Sequence, residues 1–367
     1  MNYLSSKNKI ITENDYFNIF FDFSISNRDF SYFTNKSLYN IVGCKKKLIF
    51  HSENDSIINF IETSDNKIVF TLSDNGNLMI ISPLEENVIS SIKLIDYEDF
   101  CGNVKNYNRY TIIYYNNADW LGTTALIFNI DLKKYFFINL YHENIYIDEI
   151  NDTLIINKYE DVSDLTKESY IGSIQLNELF EENNKVYSVK DILSIKNCIM
   201  SNNEIYEYAY EVINVVNDNI IFSRKHGELK EIFTYSISSK LTKKIFNAES
   251  LNTTIKSTNY KNKLILFYNY NNGINTFCNN IYSEIYKCSE NEHIEDYYSS
   301  NNYIIIKINR DNKYIFKVYD IKNDNTIDID KYYYESIYTN LVNIKNETFL
   351  LLEQNEECIT TLTELNL

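Results

Sequence analysis

Between Ile57 and Leu94 the chain alternates short apolar blocks with short polar ones. Ile57–Thr63, Ile68–Leu72, Leu78–Ile81 and Val88–Leu94 are apolar and rich in β-branched or aromatic residues. The breaks are Ser64-Asp65-Asn66-Lys67, Ser73-Asp74-Asn75-Gly76-Asn77 and Pro83-Leu84-Glu85-Glu86-Asn87. Short runs bounded by Asn, Asp, Gly or Pro mark strands and turns. No apolar helix period crosses the segment. The pattern predicts four strands, A to D, joined by tight turns.

The first of those turns recurs. An Asn/Asp turn followed by an apolar run is found again before Tyr110–Tyr115, Thr153–Ile156, Ile220–Ser223, Lys263–Tyr268, Tyr303–Ile308 and Glu347–Leu352. Anchored on Asp65, Asn108, Asp152, Asp218, Asn262, Asn302 and Asn346, the gaps are 43, 44, 66, 44, 40 and 44 residues. A four-strand unit repeating near 44 residues is the sequence signature of a β-propeller blade. The predicted fold is therefore all-β, a propeller of seven four-stranded blades closed by an N-terminal strand, with six or eight blades as alternatives. Only 7 Gly and 1 Pro serve all these turns. Asn and Asp tolerate the left-handed conformation that hairpin turns need, and they stand in for Gly.

In chain order, residues 1–44 are expected to form an extension or cap, with Tyr16–Ser24 a strand or a packed cap. Residues 45–367 form a single propeller domain. Blade 2 has three readable strands, Tyr110–Tyr115, Ala125–Ile130 and Tyr135–Leu140. Blade 3 takes Ile145–Ile150, Leu154–Tyr159, Tyr170–Leu176 and Lys185–Leu193. Blade 4 takes Glu211–Val216, Ile220–Ser223, Glu231–Ser236 and Lys243–Phe246. Blade 5 spans about Thr254–Cys288 and blade 6 about His293–Asp330. The C-terminal runs Tyr338–Ile344, Thr348–Glu353 and Ile359–Leu365 lack a fourth strand, which Lys47–Ser52 is expected to supply, removing the open edges. Leu176–Glu182 and Asp191–Met200 have room for a helical turn each. The 66-residue gap carries about 22 extra residues, expected as insertions at about 160–169 and 194–208.

The repeat resembles the seven-bladed propellers of the WD40-like class over roughly Lys47–Leu367. The Gly-His and Trp-Asp dipeptides of that class are absent, and Trp120 follows Asp119 in the reverse order, so no class residue transfers. The resemblance implies that B–C and D–A loops share one face. Both insertions, the loop Asn116–Gly122 and the loop Arg224–Gly227 would then lie on that face.

Composition narrows the function. The net charge is −16, which disfavours nucleic acid and anionic membranes as partners, since both select basic surfaces. Met1–Lys7 leads into polar residues with no apolar core of a leader, and no apolar run is long enough to span a bilayer. A cytoplasmic monomer is expected. The six Cys are scattered without CxxC, so reduced thiols are expected, with a cross-strand Cys278–Cys288 disulfide as the alternative. The four His are not at metal spacing, and GxSxG, P-loop and GxGxxG are absent. No cofactor or metal is expected. Tyr, Trp and Arg on loops are favoured interface anchors, so the candidate binding residues are Trp120, Tyr206, Tyr208, Arg224 and His226. The alternative is that Trp120 packs onto its own blade and the insertions are decoration. The function expected is a non-catalytic scaffold for a protein partner, a basic one among the candidates. A propeller hydrolase or lyase with its site at the channel mouth, and an acidic immunity-type binder of a basic toxin, are the alternatives.

Overall fold

A computed structural model describes residues 5–14, 30–33, 35–42, 45–62, 67–119, 122–141, 143–158, 169–181, 184–193, 198–202, 209–216, 218–226, 229–248, 254–261, 263–278, 281–300, 302–311, 313–328, 338–345, 348–354 and 359–366. The chain divides into two compact units: residues 1–71, 82–87 and 254–367, and residues 72–81 and 88–253.

Strand β1 (Ser5–Asn14) is followed by a three-stranded sheet of β2 (Phe30–Phe33), β3 (Ser37–Val42) and β4 (Lys45–His51). Four-stranded sheets follow in order. The first is β5 (Ser56–Glu62), β6 (Lys67–Leu72), β7 (Asn77–Ser82) and β8 (Asn87–Lys93). The second is β9 (Tyr97–Asn106), β10 (Tyr110–Asn117), β11 (Thr123–Asn129) and β12 (Lys134–Leu140). The third uses β13 (Glu143–Asp148), β14 (Thr153–Lys158) and β15 (Ser169–Gln175). It is completed only after α1 (Leu176–Leu179), β16 (Val186–Ser188) and α2 (Val189–Ile192), by β17 (Cys198–Asn202). Then come β18 (Ala209–Val216), β19 (Asn219–His226), β20 (Leu229–Ser236) and β21 (Thr242–Ala248). Next are β22 (Ile255–Tyr260), β23 (Lys263–Tyr270), β24 (Gly273–Cys278) and β25 (Ile281–Lys287), then β26 (Glu292–Ser300), β27 (Tyr303–Arg310), β28 (Lys313–Asp320) and β29 (Asn325–Asp328). The last sheet is β30 (Tyr338–Lys345), β31 (Thr348–Gln354) and β32 (Ile359–Asn366), joined by β1. These seven successive four-stranded antiparallel sheets are the blades of a β-propeller.

The turn chemistry follows the expectation. Asp152 and Asp218, two of the anchors, sit at φ +49° and +67°, and Lys261 beside Asn262 at +48°. Most of the other left-handed non-glycine residues described are also Asn or Asp, among them Asp96, Asn271, Asn272 and Asp311. Short polar side chains tolerate this region because they hydrogen-bond locally. Asp218 accepts from the Ser236 and Ser238 hydroxyls at 2.9 and 2.6 Å and from the Ser238 N–H at 2.8 Å.

Apolar faces of neighbouring sheets pack on one another. In the unit containing 88–253, Ile112 and Tyr114 of β10 meet Ile145 and Ile147 of β13, while Ile155 and Ile171 meet Tyr210, Ile220 and Phe222. In the other unit, Phe267 meets Ile304 and Ile306, and Ile305 and Phe316 meet Leu341 and Phe349. Tyrosine hydroxyls stitch the seams. Tyr146 donates to the Val212 carbonyl at 3.1 Å, and Tyr298 to the Leu341 carbonyl at 2.9 Å. Each reaches the first strand of the next sheet, so these two tyrosines serve packing and seam bonds together.

Two expectations are corrected and one alternative falls away. The strand closing the last sheet is β1, antiparallel to β32 from Ser5↔Asn366 to Asn14↔Ile359, and not Lys47–Ser52. The latter run is a strand, but it pairs with β3, and its Ile49 and Phe50 pack beside Phe33, Leu38, Ile57 and Phe60. The fourth strand of blade 3 is Cys198–Asn202, paired with β15, and not Lys185–Leu193. The run from α1 to α2 instead crosses to the second sheet, where β16 pairs parallel with β12 and covers its edge. Cys278 and Cys288 are free thiols. Cys278 lies at the turn end of its hairpin and Gly273↔Lys287 at the other, which places the two cysteines at opposite ends. Tyr16–Ser24 lies outside the described residues, as do 159–168 and 203–208; 198–202, inside the second expected insertion, is β17.

Candidate functional site

Three connections lie side by side where β6–β7, β8–β9 and β10–β11 join. The Leu94 N–H donates to the Gly76 carbonyl at 2.9 Å, and the Ala118 N–H to the Asp96 carbonyl at 2.8 Å. Register puts Tyr97 opposite Asn117 and Asp99 opposite Asn116. The turn 73–76 is closed by the Gly76 N–H to Ser73 carbonyl bond at 2.9 Å and braced by the Lys93 ammonium on the Asn75 carbonyl. Gly76 is required there, because its φ is +77° and a Cβ would stand 2.6 Å from Tyr97 Cβ.

This ridge is acidic. Asp74, Asp96, Glu98, Asp99 and Asp119 are all exposed. None makes an ion pair with a cation among the described residues. Burial, then the carboxylates of Asp99 and Asp74, hold the Tyr97 phenol above its ordinary value. Burial and Asp99 likewise raise the Cys101 thiol, which keeps it protonated and a poor nucleophile.

Of the sequence-selected residues, Trp120, Tyr206 and Tyr208 lie outside the described residues. Trp120 directly follows Asp119 of the ridge. Arg224 pairs across the ladder with Glu231, donating from Nε at 2.8 Å and Nη2 at 2.5 Å, and its guanidinium lies 5.0 Å over the Phe233 ring. Lys244 holds the other oxygen of the same carboxylate. His226 ends β19 opposite Leu229; its side chain is outside the described residues. Arg224 and His226 thus stand at the end of their sheet where the β19–β20 loop leaves, the counterpart of the Asn117–Gly122 loop in the second sheet.

A cleft of about 250 Å³ lies beside the ridge, between the second and third sheets. Its walls are Cys101, Asn103 and Lys105 from β9, Tyr114 from β10, Thr123 from β11, and Leu140, Tyr141, Glu143 and Asn144 around the β12–β13 connection. Thr123 pairs with both Asn116 and Leu140, so the cleft opens at the end where the Trp120 loop leaves. Tyr141 is 55% exposed at its rim. Glu143 accepts from the Tyr141 N–H at 2.7 Å and the Tyr170 hydroxyl at 3.3 Å. Burial lowers the Lys105 ammonium below the ordinary lysine value. Among the described residues no group of three or more His, Cys, Asp or Glu converges to hold a metal. The sequence reading missed both β9 and the cleft. The β9 sequence, YEDFCGNVKN, mixes exposed and half-buried positions without clean alternation, so its only signal was the missing first strand of blade 2.

The class defined by this fold is the β-propeller. Among solved structures, the chain is similar to the computationally designed Ika8 protein, with TM-score 0.54 and 8% identity over 93% of this chain and 94% of that one. It is similar to BamB from Moraxella catarrhalis, with TM-score 0.52 and 9% identity over 98% and 99%. It also resembles oligopeptidase B from Leishmania major, with TM-score 0.53 and 8% identity, where 83% of this chain matches 46% of that chain. No family model matches the chain, and no curated protein does. No described helix is long and apolar enough to cross a membrane.

Proposed function

We propose that this propeller is a non-catalytic interaction scaffold of the WD40-like kind, working in the cytoplasm, that docks a basic protein partner on the ridge of Asp74, Asp96, Glu98, Asp99 and Asp119. The contact extends to the loops carrying Trp120, Tyr206 and Tyr208 and to the hairpin end carrying Arg224 and His226. The supporting observation is the set of five exposed carboxylates, without cationic partners among the described residues, on connections laced by backbone hydrogen bonds. Uncompensated charge on a preorganised surface speeds encounter with a partner of opposite sign. An immunity protein that neutralises a basic toxin is one form this takes.

The test is capture from native cell extract with the full chain and with a variant carrying Asp74→Asn, Asp96→Asn, Asp99→Asn and Asp119→Asn. The expected result is a stoichiometric basic protein held by the wild type at about 0.05 M salt, lost at about 0.5 M salt, where the Debye length shrinks several-fold, and lost with the variant. An acidic partner, or capture indifferent to both changes, overturns the proposal. Trp120→Ala is expected to weaken capture at unchanged melting temperature; capture retained with lowered melting assigns Trp120 to packing.

A further inference from the structure

Lys105 occupies a seam position that other sheets fill differently. It pairs with Ile112, whose side chain faces the next sheet. Tyr146 pairs likewise with Ile155, and Tyr298 with Ile305. Those two tyrosines spend a neutral hydroxyl on the next sheet's carbonyl. Lys256, paired with Phe267 in the same sense, is met by the Asp296 carboxylate at 2.7 Å and lies 5.1 Å over the Tyr297 ring.

Lys105 has the ring but not the acid. Its Nζ lies 4.8 and 5.4 Å from the Tyr146 and Tyr114 ring centroids and donates to the Ile145 carbonyl at 3.2 Å. No carboxylate among the described residues pairs with it. An ammonium has three donors, so two are left over at a half-buried site. Beside it, the Tyr114 hydroxyl is buried with no hydrogen-bond partner among the described residues, its residue 7% exposed. Buried polar groups in folded chains are satisfied by protein, water or ligand. Both residues line the same 250 Å³ cleft.

We infer that the cleft binds a small monocarboxylate with an apolar body. The carboxylate takes the place that Asp296 fills for Lys256, accepting from Lys105 Nζ and Tyr114 Oη. The body lies against Leu140 and Tyr141. The nearby Glu143 and the acidic ridge select against polyanions such as nucleotides.

The test is ¹⁹F NMR titration of the full chain with 4-fluorobenzoate, using 4-fluorobenzamide as the uncharged isostere. The acid is expected to bind, and the amide at least about tenfold more weakly, because a charge-assisted bond is replaced by a neutral one. Lys105→Met, which keeps the stem packed on the tyrosines, is expected to abolish the difference, and Tyr114→Phe to weaken the acid several-fold. No binding of the acid up to about 10 mM, a level weaker than any useful site, overturns the inference. So does equal binding of acid and amide, or acid binding unchanged by Lys105→Met. The acid-against-amide comparison is made on the wild type and is independent of how the variants fold. This ligand is separate from the proposed protein partner, so either can fail alone.

Discussion

Glu292 offers a quantitative test of how a blade junction is held. It is 5% exposed and opens β26 opposite Arg310. Its carboxylate accepts from the Tyr286 hydroxyl at 2.6 Å, the Ser289 N–H at 2.8 Å and Arg310 Nε at 2.9 Å, with Arg310 Nη2 as a further donor. Burial opposes its ionisation, but these donors outweigh burial and bring its pKa down to about 2. An unfolded glutamate titrates near 4.3, and each pKa unit is about 1.4 kcal/mol. The charge therefore contributes about 3 kcal/mol at neutral pH. Since the folded pKa is the lower one, this stability is complete above about pH 5 and is lost as pH falls through about 2. Glu292→Gln keeps the shape and removes the charge. Urea unfolding followed by circular dichroism at pH 7, 5 and 3 should show the variant about 3 kcal/mol weaker at pH 7, with the gap narrowing at pH 3. A gap that does not change with pH would assign the loss to geometry. No gap at pH 7 would mean that desolvation cancels the ion cluster, and either result refutes the reasoning.

Gly76→Ala should cost about 1–2 kcal/mol from the left-handed backbone alone, and more from the Tyr97 contact; amide exchange at Leu94, bonded to Gly76, should quicken, and unchanged exchange there would refute the lacing. Tyr187→Ala removes a buried ring that lies edge-on to Phe136 at 5.8 Å and donates to the Leu179 carbonyl at 3.1 Å. It should cost about 3–5 kcal/mol and expose the Phe137 amide, now bonded to Lys185, to exchange. Asp218→Asn keeps a residue that tolerates φ +67° but replaces a carboxylate oxygen with a donor facing the Ser236 and Ser238 hydroxyls. It should lower the unfolding free energy by about 1 kcal/mol, read as a lower urea midpoint, and an unchanged midpoint would show that the turn is held by its backbone alone.

How much of this could be read from the chain depends on whether the determining contact is local. The A–B turn anchors could be read because a left-handed residue without glycine calls for Asn or Asp, and Asp152 and Asp218 answer to that rule within a single hairpin. Inner strands such as β6 and β27 could be read because both of their faces are covered. Outer strands such as β8 and β25 are largely exposed and carry little pattern. The choice of closing strand failed for that reason: SSKNKIITEN looks less like a strand than KKKLIFH, and both are strands, but pattern does not name a partner. β16 is a parallel pairing of three residues carried back from a later segment, which no period reveals. The candidate sites divide in the same way. The turn holding Asp74 and the loop holding Trp120 were each visible in the sequence, but their adjacency rests on the short β8–β9 connection, whose Leu94 bonds Gly76 in one blade and whose Asp96 bonds Ala118 in the next. Lys105 was invisible until the seams could be compared. A lysine where two blades place tyrosine is informative only because a second lysine, at position 256, shows what such an ammonium demands. In a repeat protein each blade is a control for its neighbours, and a seam residue that breaks the pattern without its compensating partner locates a ligand more sharply than its residue type does.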